Sequence, residues 1–174
     1  MVAVFVLAVM IGVFARMLFH PTPPHVSQDV SNGFQLPDVT GKMRNSHEWL
    51  GQVVVLNFWA PWCPPCREEI PGFLSLYHTY RDRGLVVVGV GLDQLDEIRA
   101  FIQRFQVDYP NLLGNEDGGA LADRYGDHSG SLPYTVVLSR AGEVVYRHLG
   151  GLSVTDLEGI VRPLLGSSTQ SGTM

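Results

Sequence analysis

The chain has 174 residues, of which 45% are hydrophobic and 17% charged, with a formal net charge of -5 at pH 7. That composition suits one folded domain with a sizeable core. It excludes a general nucleic-acid binder, because phosphate binding relies on clustered Lys and Arg and none of the 12 basic residues forms a run.

Residues 1–20 open the chain with an apolar run from Val2 to Ala15, which Met17 to Phe19 resume after Arg16. Those 18 residues reach about 27 Å as a helix, enough to cross the hydrocarbon layer if Arg16 snorkels to the interface. No small-x-small cleavage site follows, so an uncleaved membrane anchor is expected, with a cleaved signal peptide as the alternative. Nothing basic precedes the run, and the charge rule does not fix its orientation. Residues 21–33, rich in Pro, Ser and Asn, read as an extended spacer. The folded domain is expected over residues 34–165, and the polar stretch 166–174 as a frayed tail.

Within the domain, Val53 to Trp59 (VVVLNFW) and Leu85 to Leu92 (LVVVGVGL) are near-continuous apolar runs. Such runs mark strands covered on both faces. Phe73, Leu76, Tyr77 and Tyr80 follow the first at helical spacing, and Leu95, Ile98, Ile102 and Phe105 follow the second. Strand, helix, strand, helix implies a parallel sheet flanked by helices. Further on, a short helix is expected over Gly119–Tyr125, then strands over Tyr134–Ser139 and Glu143–Leu149 joined by a hairpin at RAGE. A last helix carries Leu157, Ile160, Val161, Leu164 and Leu165, with Ser153 as N-cap and Asp156 three residues later.

The two cysteines of the chain, Cys63 and Cys66, lie in NFWAPWCPPCREEIP, between the first strand and its helix. A zinc site of the usual kind needs a second ligand pair, but there is no third cysteine and the six His are scattered. Haem attachment wants His directly after the second cysteine, and Arg67 stands there. A bridge closing so small a loop is a poor structural staple. Redox chemistry remains. At a helix N-terminus the free backbone N–H groups and the dipole favour a Cys63 thiolate, while Cys66, one turn in, is placed to resolve a mixed disulfide. Pro64 and Pro65 suit the first turn, yet they leave fewer amides to solvate the Cys63 sulfur. Trp59 and Trp62 flank the pair, either as hydrophobic cover or as a surface that docks partner peptides.

The stretch NFWAPWCPPCREEIP resembles the active-site segment of thioredoxin-fold proteins, and among them the membrane-tethered TlpA, ResA and DsbE/CcmG branch. Leu36 and Pro37, Thr40 to Lys42, VVVLNFWA, Pro71 and GSLPYTVVLSRAGEVVYRHLGGL extend the likeness over about residues 34–165. The resemblance implies an α/β, thioredoxin-like fold: a central mixed sheet flanked by helices, the extra strand-helix insert of the branch within Asp93–Tyr125, and one N-terminal transmembrane helix before it. Pro133, preceded by Leu132, matches the cis-proline that faces the cysteine pair and meets substrate backbone. Asn57 stands where cytosolic thioredoxins carry a buried Asp, and it cannot titrate. Glu69 matches an acidic position of the branch that tunes the dithiol; the alternative is a solvated acid near the helix N-terminus, a role Glu68 also suits. Pro71 is expected to kink the helix.

By resemblance the chain is a protein thiol-disulfide oxidoreductase that needs no cofactor beyond its redox-active Cys63–Cys66 pair. It would sit in the bacterial cell membrane by a single helix, with the catalytic domain on the periplasmic or extracytoplasmic side. Clients would be thiol or disulfide proteins such as apocytochrome c or copper-centre assembly proteins, and a DsbD/CcdA-type transmembrane reductase would supply electrons. The alternative is a Sco-like copper-delivery module, to which His128, near Pro133, would lend a ligand. A peroxiredoxin would want a Thr and a Pro flanking a single reactive cysteine, which WCPPC does not offer. His20 and His25 fall in the spacer, and His47, His78 and His148 read as partnerless surface residues.

Overall fold

A computed structural model describes residues 33–166 of the chain. The expected anchor (residues 1–20), nearly all of the spacer (residues 21–33) and nearly all of the tail (residues 166–174) lie outside these residues. No helix among the described residues is long and apolar enough to cross a membrane.

The described chain opens with a small antiparallel hairpin, β1 (Gln35–Pro37) and β2 (Met43–Asn45), followed by a 3-10 turn over Ser46–Trp49. Then come β3 (Val53–Trp59), α1 (Pro64–Tyr80), β4 (Leu85–Gly91), α2 (Leu95–Phe105), β5 (Asn111–Leu113) and α3 (Asn115–Arg124). The chain closes with β6 (Tyr134–Leu138), β7 (Val144–Leu149) and α4 (Val154–Leu164). The main sheet has the order β5-β4-β3-β6-β7. β3, β4 and β5 run parallel, whereas β6 pairs antiparallel with β3 and β7 antiparallel with β6. The result is a thioredoxin-like mixed sheet between two helical layers.

Every residue of β3, β4 and β6 is buried, as strands covered on both faces must be. Alternate residues feed two cores. Val53, Val55, Leu85, Val87 and Val137 pack with Phe73 and Leu76 of α1, Ile98 and Phe101 of α2, and Leu157 and Val161 of α4. Val54, Leu56, Phe58, Val86, Val88 and Val136 pack instead with Leu121 and Ala122 of α3 and with Phe34, Leu36 and Trp49 near the start. Ser153 caps α4 by accepting from the Asp156 N–H at 3.2 Å.

One local expectation changes, and one hairpin goes beyond the sequence reading. α3 begins at Asn115, four residues before the sequence suggests; Gly118 and Gly119, poor helix formers, mask its start in the sequence. Close packing explains one of them, since a Cβ at Gly118 would stand 2.5 Å from Leu92 Cδ2. The β1–β2 hairpin has three-residue strands, too short to show a period. Pro71 lies inside α1, which continues through it to Tyr80, with the ring on the exposed side.

Candidate active site

The end of β3 and the start of α1 create the site. Trp59 ends the strand, Ala60 O accepts from the Cys63 N–H at 3.1 Å, and Cys63 becomes the N-cap of α1. Cys63 and Cys66 form a disulfide, with the two Cα atoms 5.3 Å apart. Because Pro64 and Pro65 carry no N–H, the first helical amide able to reach the sulfur is that of Cys66, which donates to Cys63 Sγ at 3.3 Å. Cys66 is fully buried and Cys63 is 3% exposed.

The two tryptophans part company. Trp59 is core, its ring 4.8 Å from that of Phe101, whereas Trp62 stands 65% exposed beside Cys63. The Leu132–Pro133 peptide is cis. Pro133 immediately precedes Tyr134, which pairs with Phe58 near the end of β3, so the proline loop lies at the same end of the sheet as the cysteines. Pro133 is buried, Leu132 is half-buried, and Gly150 N–H donates to Pro133 O at 2.8 Å.

For Glu69 burial decides between the two readings and removes the alternative. This residue is 6% exposed, not a solvated acid; that description suits Glu68, which is exposed. α1 directs Cys66, Glu69, Ile70 and Phe73 to the sheet, so Glu69 continues the apolar stripe one turn beyond Cys66. Its Oε1 accepts from Asn57 Nδ2 at 2.8 Å and its Oε2 from the Leu152 N–H at 2.9 Å. Asn57 Nδ2 also donates to Thr135 Oγ1 at 3.0 Å. Burial pushes the Glu69 carboxyl up to about 7, against the two hydrogen bonds, which favour the anion. A buried acid that titrates near neutral pH thus sits one turn behind the inner cysteine.

The polar residues around it occupy one register row. Asn111, Gly89, Asn57, Thr135 and His148 are consecutive partners across all five strands. They therefore share the face that α1 covers. Gly89 leaves a slot: a Cβ there would stand 2.8 Å from Trp59 Nε1 and would also crowd Asn111 Oδ1. Trp59 Nε1, Asn111 Oδ1 and Tyr109 OH are buried without hydrogen-bond partners among the described residues. Sequence reasoning missed Thr135, Leu152 and Tyr109. Thr135 was within reach, because its place two residues after Pro133 sets it opposite Asn57.

The histidines have partners the sequence did not show. His78 Nε2 lies 2.8 and 2.9 Å from the Asp108 oxygens, and His148 Nε2 lies 3.3 Å from Gly151 O. His128, the residue considered for copper, lies 2.7 Å from Asp123 Oδ1 through Nδ1. No cluster of three or more His, Cys, Asp or Glu able to hold a metal occurs among the described residues.

The AhpC/TSA family model matches residues 27–147. The thiol-disulfide oxidoreductase ResA of Halalkalibacterium halodurans is 31% identical over 121 residues, covering 69% of this chain and 66% of the relative. The chain thus spans about two thirds of that relative's length. ResA of Geobacillus kaustophilus is 32% identical over 127 residues, covering 72% of this chain and 70% of the relative. Among solved structures, a thiol:disulfide interchange protein of the thioredoxin family from Chlorobium tepidum superposes with a TM-score of 0.71 at 29% identity, covering 77% of this chain and 94% of that one. Family, relatives and fold agree with a dithiol held at a helix N-terminus: the chain belongs to the AhpC/TSA family and is a thiol-disulfide oxidoreductase of the ResA and DsbE type.

Proposed function

We propose that the protein is a membrane-tethered, extracytoplasmic reductant of protein disulfides. The observation that carries the exchange chemistry is Glu69 buried one turn behind Cys66, where an acid titrating near pH 7 suits proton exchange with the inner thiol. In the reduced protein the Cys63 thiolate attacks a client disulfide. A Cys63–client bond forms, the client S–S bond breaks, and the released client thiolate takes a proton. Glu69 then accepts the Cys66 proton, and the Cys66 thiolate attacks Cys63 Sγ. The Cys63–Cys66 bond forms and the second client thiolate leaves, so the dithiol loses two electrons and the client gains them.

Trp62, exposed beside Cys63, and Leu132 with Pro133 at the same end of the sheet provide the surface for the client chain. Apocytochrome c before haem attachment, or a copper-centre assembly protein, is the client class. A DsbD/CcdA-type membrane reductase returns the electrons, since the outer face of a bacterial membrane is oxidising. The apolar run within residues 1–20 supplies the tether.

The test is the reduction potential of the full-length chain in detergent, equilibrated against defined thiol-disulfide mixtures and read by thiol labelling. A value near or below about -270 mV supports a reductant, and one near about -120 mV makes the protein a disulfide donor and removes the reading. Cys63→Ser is expected to abolish exchange, while Cys66→Ser accumulates mixed disulfides with clients.

A further inference from the structure

His148 and Glu69 stand on opposite sides of one peptide group. His148 Nε2 is 3.3 Å from the carbonyl oxygen of Gly151, and the N–H of the same peptide, that of Leu152, donates to Glu69 Oε2 at 2.9 Å. A carbonyl oxygen only accepts, so Nε2 carries the proton. Nδ1 is then the acceptor in the neutral ring, facing Tyr146 OH at 3.4 Å. The ring lies parallel to Tyr146, tilted by 6°, and is half-buried on the edge strand β7. The chain of groups therefore runs from the sheet edge through a peptide to the carboxylate behind Cys66.

We propose that His148 is a positioning residue of the dithiol site, holding Glu69 at Cys66 through the Gly151–Leu152 peptide and transmitting charge on its ring to the buried carboxylate.

Two facts support a device rather than chance packing. Hydrogen bonds in series through a peptide polarise one another, so a better donor at Gly151 O makes the Leu152 N–H a better donor to Glu69. His148 is also the edge member of the register row that holds Asn57, which donates to the other Glu69 oxygen, and Thr135, which accepts from Asn57. In the disulfide form Cys63 and Cys66 do not titrate, and the titratable group that bears on Glu69 is Tyr109, from the turn before β5, whose hydroxyl is pushed upward by burial and then by the Glu69 charge. Tyr146 faces His148 from its own strand. Neither Glu69 nor His148 forms an ion pair with a charged side chain among the described residues. A stronger donor at Gly151 O favours the Glu69 anion through the Leu152 N–H.

The proposal rests on the reading of Glu69 as the Cys66 proton acceptor, and the test separates the two. The full-length chain in its disulfide form, with glutamate carboxyl carbons labelled, is titrated by NMR, the Glu69 signal being the one lost in Glu69→Gln. His148→Phe is expected to raise the Glu69 midpoint by about half a pH unit, roughly a threefold change in ionisation, the scale of a weakened charge-assisted bond. His148→Gln, whose amide can donate to the same carbonyl, is expected to return part of that shift. An unmoved midpoint in His148→Phe overturns the proposal. Should that variant not fold, His148→Ala is titrated in its place. A raised Glu69 midpoint in His148→Ala supports the link and an unmoved one overturns it. If Glu69→Gln leaves the pH dependence of client reduction unchanged, the proton-acceptor reading fails, while the link from His148 is still judged by the carbon titration.

Discussion

Asn57 and Glu69 join strand to helix beneath the dithiol: Asn57 Nδ2, on β3, donates to Glu69 Oε1, on α1, at 2.8 Å. The pair divides the roles: the amide cannot titrate and the buried acid can. The division has a consequence for stability, because only one partner can change charge.

Glu69 makes the folded state less stable as pH rises. Its carboxyl titrates near 7 in the fold, against an ordinary value of 4.5, so between these limits the folded chain binds more protons than the unfolded one. The stabilisation is fully present below pH 4.5 and is lost as pH climbs through about 7, a total of about 3 kcal/mol at 1.36 kcal/mol per unit. Urea unfolding of the disulfide form between pH 4.5 and 8 should show this decline, and Glu69→Gln should flatten it. A decline equally steep in both proteins would assign it to other groups.

Asn57→Asp should steepen the same decline. The change removes the donor to Glu69 Oε1 and Thr135 Oγ1 and puts a second carboxylate against the first. Two buried acids in contact share one proton, which raises one midpoint strongly. A loss of about 3–5 kcal/mol at pH 8, mostly recovered at pH 5, is expected from an unpaired buried charge. Equal losses at both pH values would mean that packing, not charge, dominates.

The legible part of the fold was what burial on both faces writes into sequence. The runs at Val53 and Leu85, the hairpin at Gly142 and the Ser153 cap each have a local cause. The β1–β2 hairpin and the start of α3 do not: the first is too short, and the second begins at Asn115 with φ of 45° and depends on the fit of Gly118 under Leu92. At the site, the cysteines and Pro133 were legible from spacing and resemblance. Glu69 was mistakable for its neighbour Glu68 because composition does not give helix phase. Yet Phe73 lies four residues on, and counting back along that stripe reaches Glu69 before Cys66. His78 and Asp108 lie 30 residues apart, and His148 meets Gly151 only through the bend after β7, so neither contact leaves a local signal.

Trp62→Ala should separate stability from client chemistry. The ring is 65% exposed, so unfolding free energy should move by no more than about 0.5 kcal/mol. If Trp62 docks the client chain, losing a large aromatic anchor should slow reduction of a protein disulfide by about tenfold, equivalent to about 1.4 kcal/mol. Stopped-flow reduction of a folded disulfide protein reads this directly, and an unchanged rate would strip Trp62 of the docking role.

Gly89→Ala should destabilise the sheet behind the site for a reason that a second substitution can isolate. Gly89 is registered between Asn57 and Asn111, and an added Cβ would meet Trp59 Nε1 at 2.8 Å and crowd Asn111 Oδ1. Neither neighbour moves cheaply. Trp59 is packed against Phe101, and Asn111 Nδ2 is tied to Tyr109 O at 2.8 Å. Overpacking of this kind costs about 1–3 kcal/mol. Asn111→Ala alone should also destabilise, by opening a gap and removing that bond. Combined, the two should cost less than their sum, because the truncated Asn111 gives the new methyl its space. Strict additivity in thermal unfolding would show that the methyl is accommodated by a shift of β4 and not by the Asn111 side chain.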